Sequence, residues 1–271
     1  MPFQTATTRA IARTIDVPIT AGAGDFALGA EWILSNNVAV STPDDVALHS
    51  DVMYAPTTFD TNPHARYDHS IYVTNGFRVS ASVRHLLGTD AEEGTGNGGQ
   101  LGLYQLGSDT RIGVAGITNL PTASDPIFFA SWGTPDVRIA FTGVFNSWYR
   151  VGIEVEPDLD EVRFYLNTTA NPSSVVEGNA GLILQRTLKF GDVVTTTLYA
   201  GANVASAALA APSAPSPNFN GFDALLIEEF VPRPFMSTLP TGAHFELPVT
   251  PYAFYKTTMT IYNWLNNARF V

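Results

Sequence analysis

The chain of 271 residues carries 25 acidic and 14 basic side chains, a net charge of −11, and only two of its cations are lysines, Lys189 and Lys256. This balance opposes binding to a phosphate backbone, which needs clustered cations to displace counterions, so nucleic acid is not expected as a partner. The absence of cysteine removes thiolate metal sites and thiol catalysis; it costs no stability, because a chain of this size buries roughly 70–75% of its unfolded surface without disulfides.

Residues 1–20 have no helical period and no continuous apolar run, being broken by Arg9, Arg13 and Asp16. They are expected to form an extended arm and not a secretory signal. No later run reaches membrane-spanning length, so membrane insertion is not expected either. From there to residue 231 apolar residues recur with a period of two, the pattern of strands. Strands are expected over Asp25–Leu34 and Ala65–Val73. Next, Phe77, Val79, Ala81 and Val83 share one face while Arg78, Ser80, Ser82 and Arg84 share the other, as in a half-buried strand.

A Gly- and acid-rich loop, Gly88–Gly99, precedes strands expected over Gln100–Leu106, Arg111–Ile117 and Pro126–Trp132, and Val137, Ile139 and Phe141 continue the alternation. Tyr149, Val151, Ile153 and Val155 alternate with Trp148, Arg150, Gly152 and Glu154. After the tip at Pro157–Asp158–Leu159–Asp160, the inward face resumes at Val162, Phe164 and Leu166, which makes a hairpin. Further strands are expected over Leu182–Phe190, Val193–Ala200 and Asp223–Val231, with an Ala-, Pro- and Ser-rich loop at Gly201–Asn220. The whole of 21–231 thus reads as one all-β, antiparallel two-sheet sandwich.

Beyond it, Pro232, Pro234, Pro240, Pro248 and Pro251 forbid an interior strand, so residues 232–271 are expected to leave as a C-terminal arm. Tyr252, Phe254, Tyr255, Tyr262, Trp264 and Phe270 make this arm aromatic, and a segment so apolar calls for a surface to pack on.

Trp148 at the start of a strand, the acidic hairpin after it, Phe164, Tyr165 and Asn167, and then Gly221, Asp223 and Ile227 in the closing strand resemble the concanavalin A-like or laminin G-like jelly-roll superfamily. The resemblance implies a two-sheet jelly roll. It also implies one of that superfamily's activities: binding sugars or proteins, service on adhesins and virion proteins, or polysaccharide cleavage.

The residues themselves offer little chemistry. Glu156, Asp158 and Glu161 match the carboxylate spacing of laminarinase-like glycosidases, but Pro157 and the hairpin tip make a solvated turn the expectation. His64, His69 and His85 have no metal-binding spacing. Asp90, Glu92 and Glu93 are hard oxygen donors among glycines and are weak calcium candidates; no other cofactor is expected. Trp32, Trp132 and Trp148 are the candidates for stacking on sugar rings, and Trp148 is expected to point away from the inward row of its strand. No nucleophile elbow or dinucleotide fingerprint is present.

The lack of an export signal, of cysteine and of a catalytic constellation, together with two arms, leads to the expectation of a non-enzymatic virion structural protein. This would be a bacteriophage capsid decoration, head-fibre or tail-appendage subunit, made in the host cytoplasm without a signal peptide and carried on the virion. Its expected partners are its own copies, neighbouring virion proteins and host-surface glycans. The alternative is a lectin-like glycan-binding module, and behind that a polysaccharide-cleaving enzyme using Glu154 or Glu156.

Overall fold

The computed structural model describes residues 9–17, 19, 29–35, 39–41, 52–54, 64–85, 99–105, 110–118, 126–133, 137–145, 147–159, 161–167, 180–187, 197–203 and 220–231. Strands numbered in chain order form two antiparallel sheets. The first runs β14 (Ala180–Thr187), β13 (Glu161–Asn167), β12 (Trp148–Glu156), β7 (Phe77–Arg84), β16 (Gly221–Phe230), β4 (Val52–Tyr54) and β3 (Ala39–Ser41), with β1 (Ile11–Val17) also on β16. The second runs β11 (Val137–Ala140), β10 (Ile127–Trp132), β9 (Arg111–Thr118), β8 (Gln100–Gln105), β15 (Thr197–Asn203), β5 (His64–Tyr67) and β2 (Trp32–Ser35), with β6 (Ile71–Tyr72) on β15.

The alternation read in the sequence fixes the layer between the sheets. Val79, Ala81 and Val83 of β7 stand opposite Ile153, Val151 and Tyr149 of β12, which in turn face Phe164 and Leu166 of β13. These residues are buried in one apolar core with Leu101, Leu103, Phe128, Ala130, Leu198 and Ala200 of the other sheet. Each buried methylene adds roughly 0.8 kcal/mol of transfer free energy, so the shared face holds the sandwich together.

Three expectations change. Residues 11–17, expected as part of an arm, form a strand of the sandwich, because Ile15 and Val17 lie opposite Ile227 and Leu225 and complete an apolar row. The expected strand Ala65–Val73 is broken by a bend at Asp68, where the His69 N–H donates to the Tyr67 carbonyl at 2.8 Å, and it ends in a 3-10 turn, Val73–Asn75. Within Asp25–Leu34, the described strand begins only at Trp32. Of Leu182–Phe190 and Val193–Ala200, residues 182–187 and 197–200 lie in the strands Ala180–Thr187 and Thr197–Asn203, and the rest lie outside the described residues.

The chain divides into two compact units, Met1–Phe230 and Val231–Val271. The aromatic residues Tyr252, Phe254, Tyr255, Tyr262, Trp264 and Phe270 and the calcium candidates Asp90, Glu92 and Glu93 lie outside the described residues. No described helix is long and apolar enough to cross a membrane.

Candidate functional site

The outward face of the first sheet carries the charged residues that alternation opposes to the core. In cross-strand register, Arg163 of β13 stands beside Glu154 of β12, Glu154 beside Arg78 of β7, and Arg78 beside Glu228 of β16. The signs alternate across all four strands. Arg163 Nη1 donates to Glu154 Oε1 at 2.7 Å, Arg78 Nη1 lies 3.5 Å from Glu154 Oε2, and Arg78 Nε donates to Glu228 Oε2 at 2.6 Å. Arg163 Nη2 also donates to Glu161 at 2.6 Å, and the Tyr165 hydroxyl lies 3.2 Å from Glu154.

This face is not the solvated side of a half-buried strand. Glu154, Glu156, Ser80, Ser82 and Arg84 are all buried. Removing such charges from water costs several kcal/mol per ion unless they are paired, and the alternating row supplies the pairs. A one-residue slip of any strand would turn its charges into the core, so the ladder also defends the register.

Burial drives the Arg163 guanidinium down, but its hydrogen bonds to Glu154 and Glu161 outweigh this and hold it above its ordinary range. Burial, and then Glu154, push the Tyr165 phenol up.

Two outward rows along, Arg150 of β12 stands beside Ser82 of β7. It donates to the Ala224 carbonyl at 2.5 Å and to Ser80 Oγ at 2.9 Å. Ala224 sits in a bulge of β16 with φ of 50°, a left-handed conformation costly for alanine. Its N–H donates to Asp223 Oδ1 at 2.6 Å, and the bulge thereby turns its carbonyl toward the guanidinium. Burial lowers the pKa of Arg150 to about 10, against the raising influence of Asp223, Asp16 and Glu228.

The hairpin end of the ladder corrects another expectation. Glu156 is not solvated but fully buried, ion-paired with Arg9, and directly opposite Glu161. With the oxygens of Glu154 occupied by Arg163, Arg78 and Tyr165, neither glutamate is presented to a sugar in the manner of a nucleophile or an acid.

The tryptophans are corrected as well. Trp32, Trp132 and Trp148 are only 5%, 3% and 0% exposed, so none offers a ring face for stacking. Trp32 and Trp132 belong to the core; Trp32 meets the Tyr67 ring edge-on at 5.6 Å. Trp148 does point away from the inward row, but its ring lies 4.8 Å from the Arg84 guanidinium and over Gly221, where a Cβ would come within 2.7 Å of it.

Of the histidines, His69 Nε2 lies 3.2 Å from Glu229 Oε1, and His85 is buried against Phe145. Among the described residues no group of three His, Asp or Glu side chains could hold a metal.

Comparison with solved structures settles the architecture. Lectin UEA-II complexed with galactose superposes with a TM-score of 0.53 at 9% identity, covering 82% of this chain and 100% of that one. The fold is that of the legume lectins, a concanavalin A-like jelly roll. Lectin II from Ulex europaeus gives 0.52 at 10% identity over the same 82% and 100%. The basic winged bean lectin with Tn-antigen gives 0.50 at 11% identity, covering 80% of this chain and 98% of that one. No protein-family model and no curated protein matches the sequence. At 9–11% identity the likeness shows the fold alone.

Proposed function

We propose that this chain is a glycan-binding, lectin-like module without catalytic activity. The observation that carries the reading is the match of its sandwich to the whole length of a lectin complexed with galactose. The ladder supports it from the other side, since Glu154 and Glu156 are taken up by arginines. With Trp32, Trp132 and Trp148 inside, sugar contacts in this reading come from the loops, where Asp90, Glu92 and Glu93 supply hard oxygen ligands for calcium. A glycan array probed with labelled chain, with and without chelator, tests this. Retention on one glycan class that chelator abolishes is the expected result; silence across diverse polysaccharides would overturn it.

A second reading, favoured by the aromatic segment from Tyr252 to Phe270, is a virion structural subunit that assembles through that segment and uses the lectin-like sandwich on host-surface glycans. Light scattering on the full chain beside a version ending at Val231 tests it. An oligomer that depends on the tail is expected, and equal masses per chain in both would remove the reading.

A further inference from the structure

Among the strands whose burial is described, the first is the most exposed, and its acceptor is among the most buried. Along β1 only Val17 is buried and Ile15 half-buried; the other five residues are exposed. On β16, by contrast, Leu225 and Ile227 are fully buried and Phe230 is 1% exposed. An edge so placed needs a strand against it, because unpaired backbone N–H and C=O groups next to a core are costly. What holds β1 there is the backbone ladder from Ile11↔Phe230 to Val17↔Leu225, the apolar side chains of Ile15, Val17 and, just beyond the strand, Ile19, and one latch.

The latch is Arg9. Its side chain is 7% exposed, it pairs with Glu156 at the end of β12, it donates to the Asn75 carbonyl at 3.5 Å, and its guanidinium lies 5.0 Å from the Phe230 ring. Behind β1, Ile19 is buried in the same core and moves with the strand, and the sequence from there to Gly29 includes Gly22 and Gly24. Fully extended, the stretch from Ile19 to Gly29 reaches about 33–36 Å, several strand spacings.

We propose that Ile11–Val17 is an exchangeable strand, which leaves its own β16 and takes the same place on the β16 of a second copy of this chain. A second copy is the occupant because only this sequence repeats the match: the register, the irregularity between Ile11 and Arg13, and an arginine placed to reach Glu156. Exchange reproduces every one of these contacts between chains, so it changes the partner and not the chemistry. Simple side-by-side addition to β1 fits less well, since Arg13, Asp16 and the irregular register are the features that blunt an exposed edge.

The chain has no cysteine, so engineered disulfides report the exchange without background. Asp16 and Leu226 are direct cross-strand partners. Chains carrying Asp16→Cys and chains carrying Leu226→Cys are mixed at high concentration, incubated, oxidised and run on a non-reducing gel. The expected result is a disulfide-linked heterodimer whose yield rises with concentration, and which forms faster when Arg9→Ala is added to the Asp16→Cys chain. A mixture of Asp16→Cys with Ala140→Cys, exposed on the other sheet, sets the background. No heterodimer above that background, while the double variant Asp16→Cys/Leu226→Cys closes fully within one chain, overturns the proposal. Failure of the double variant to close overturns it too, because the register on which exchange depends would then be wrong.

Discussion

The two outer faces of the sandwich are both buried, by opposite means. On the first sheet Arg163, Glu154, Arg78 and Glu228 cross four strands as a row of alternating charges. On the second, the rows run Arg138–Phe129–Gly116–Gln100 and Ser131–Val114–Gly102–Gly201–Arg66, small, apolar or uncharged side chains on the central strands with an arginine only at one end of each. Tyr104 lies across Gly102, where a Cβ would come 2.6 Å from its ring. One face buries charges that are mutually paired, the other buries small or apolar side chains on its central strands. The difference teaches that the charged face is a cross-link between strands, and that its carboxylates are committed to that task.

The largest effect should follow from breaking the charged row at its centre. Glu154→Ala leaves Arg163 and Arg78 buried without their shared partner, and a loss of about 3–5 kcal/mol in urea-induced unfolding is expected. Trp148→Ala should cost a comparable amount, about 3–5 kcal/mol, and should do so in the absence of any sugar, because the ring is packed and not presented. Gly221→Ala sharpens the same point: the added methyl meets the Trp148 ring, and a loss of about 1–3 kcal/mol is expected from overcrowding.

The smallest effect concerns Tyr165. A phenol whose pKa is raised by folding contributes stability that is present below its unfolded value of 10.0 and is lost as pH rises through the folded one. Tyr165→Phe should therefore cost about 1 kcal/mol at neutral pH, the worth of one hydrogen bond. Unfolding curves above pH 10.0 should show the variant gaining on the parent.

The inner layer was legible in the sequence because alternation needs no knowledge of neighbours: Phe77, Val79, Ala81 and Val83 face the core as their spacing indicates. The outer layer was not. Arg78, Ser80, Ser82 and Arg84 have the same alternation whether they meet water or one another, and the register that joins residue 78 to residues 154 and 228 spans distant parts of the chain. A signal was nevertheless there. All but two of the fourteen basic residues are arginine, the cation suited to buried, hydrogen-bonded pairs.

The tryptophans illustrate the same limit. Trp148 points outward as its position in the strand indicates, yet outward is not exposed when Arg84 and a glycine at position 221 receive the ring. Glu156 fails for a related reason: a carboxylate at a hairpin tip reads as solvated until Arg9, far away in sequence, is found against it.

Binding and cleavage read together test the central claim most directly. Diverse immobilised polysaccharides are incubated with the full chain, and loss of protein from solution and appearance of new reducing ends are measured in the same samples. Depletion on at least one glycan with no new ends is the expected result. New ends that disappear in Glu154→Gln or Glu156→Gln, or no depletion on any glycan, would contradict it.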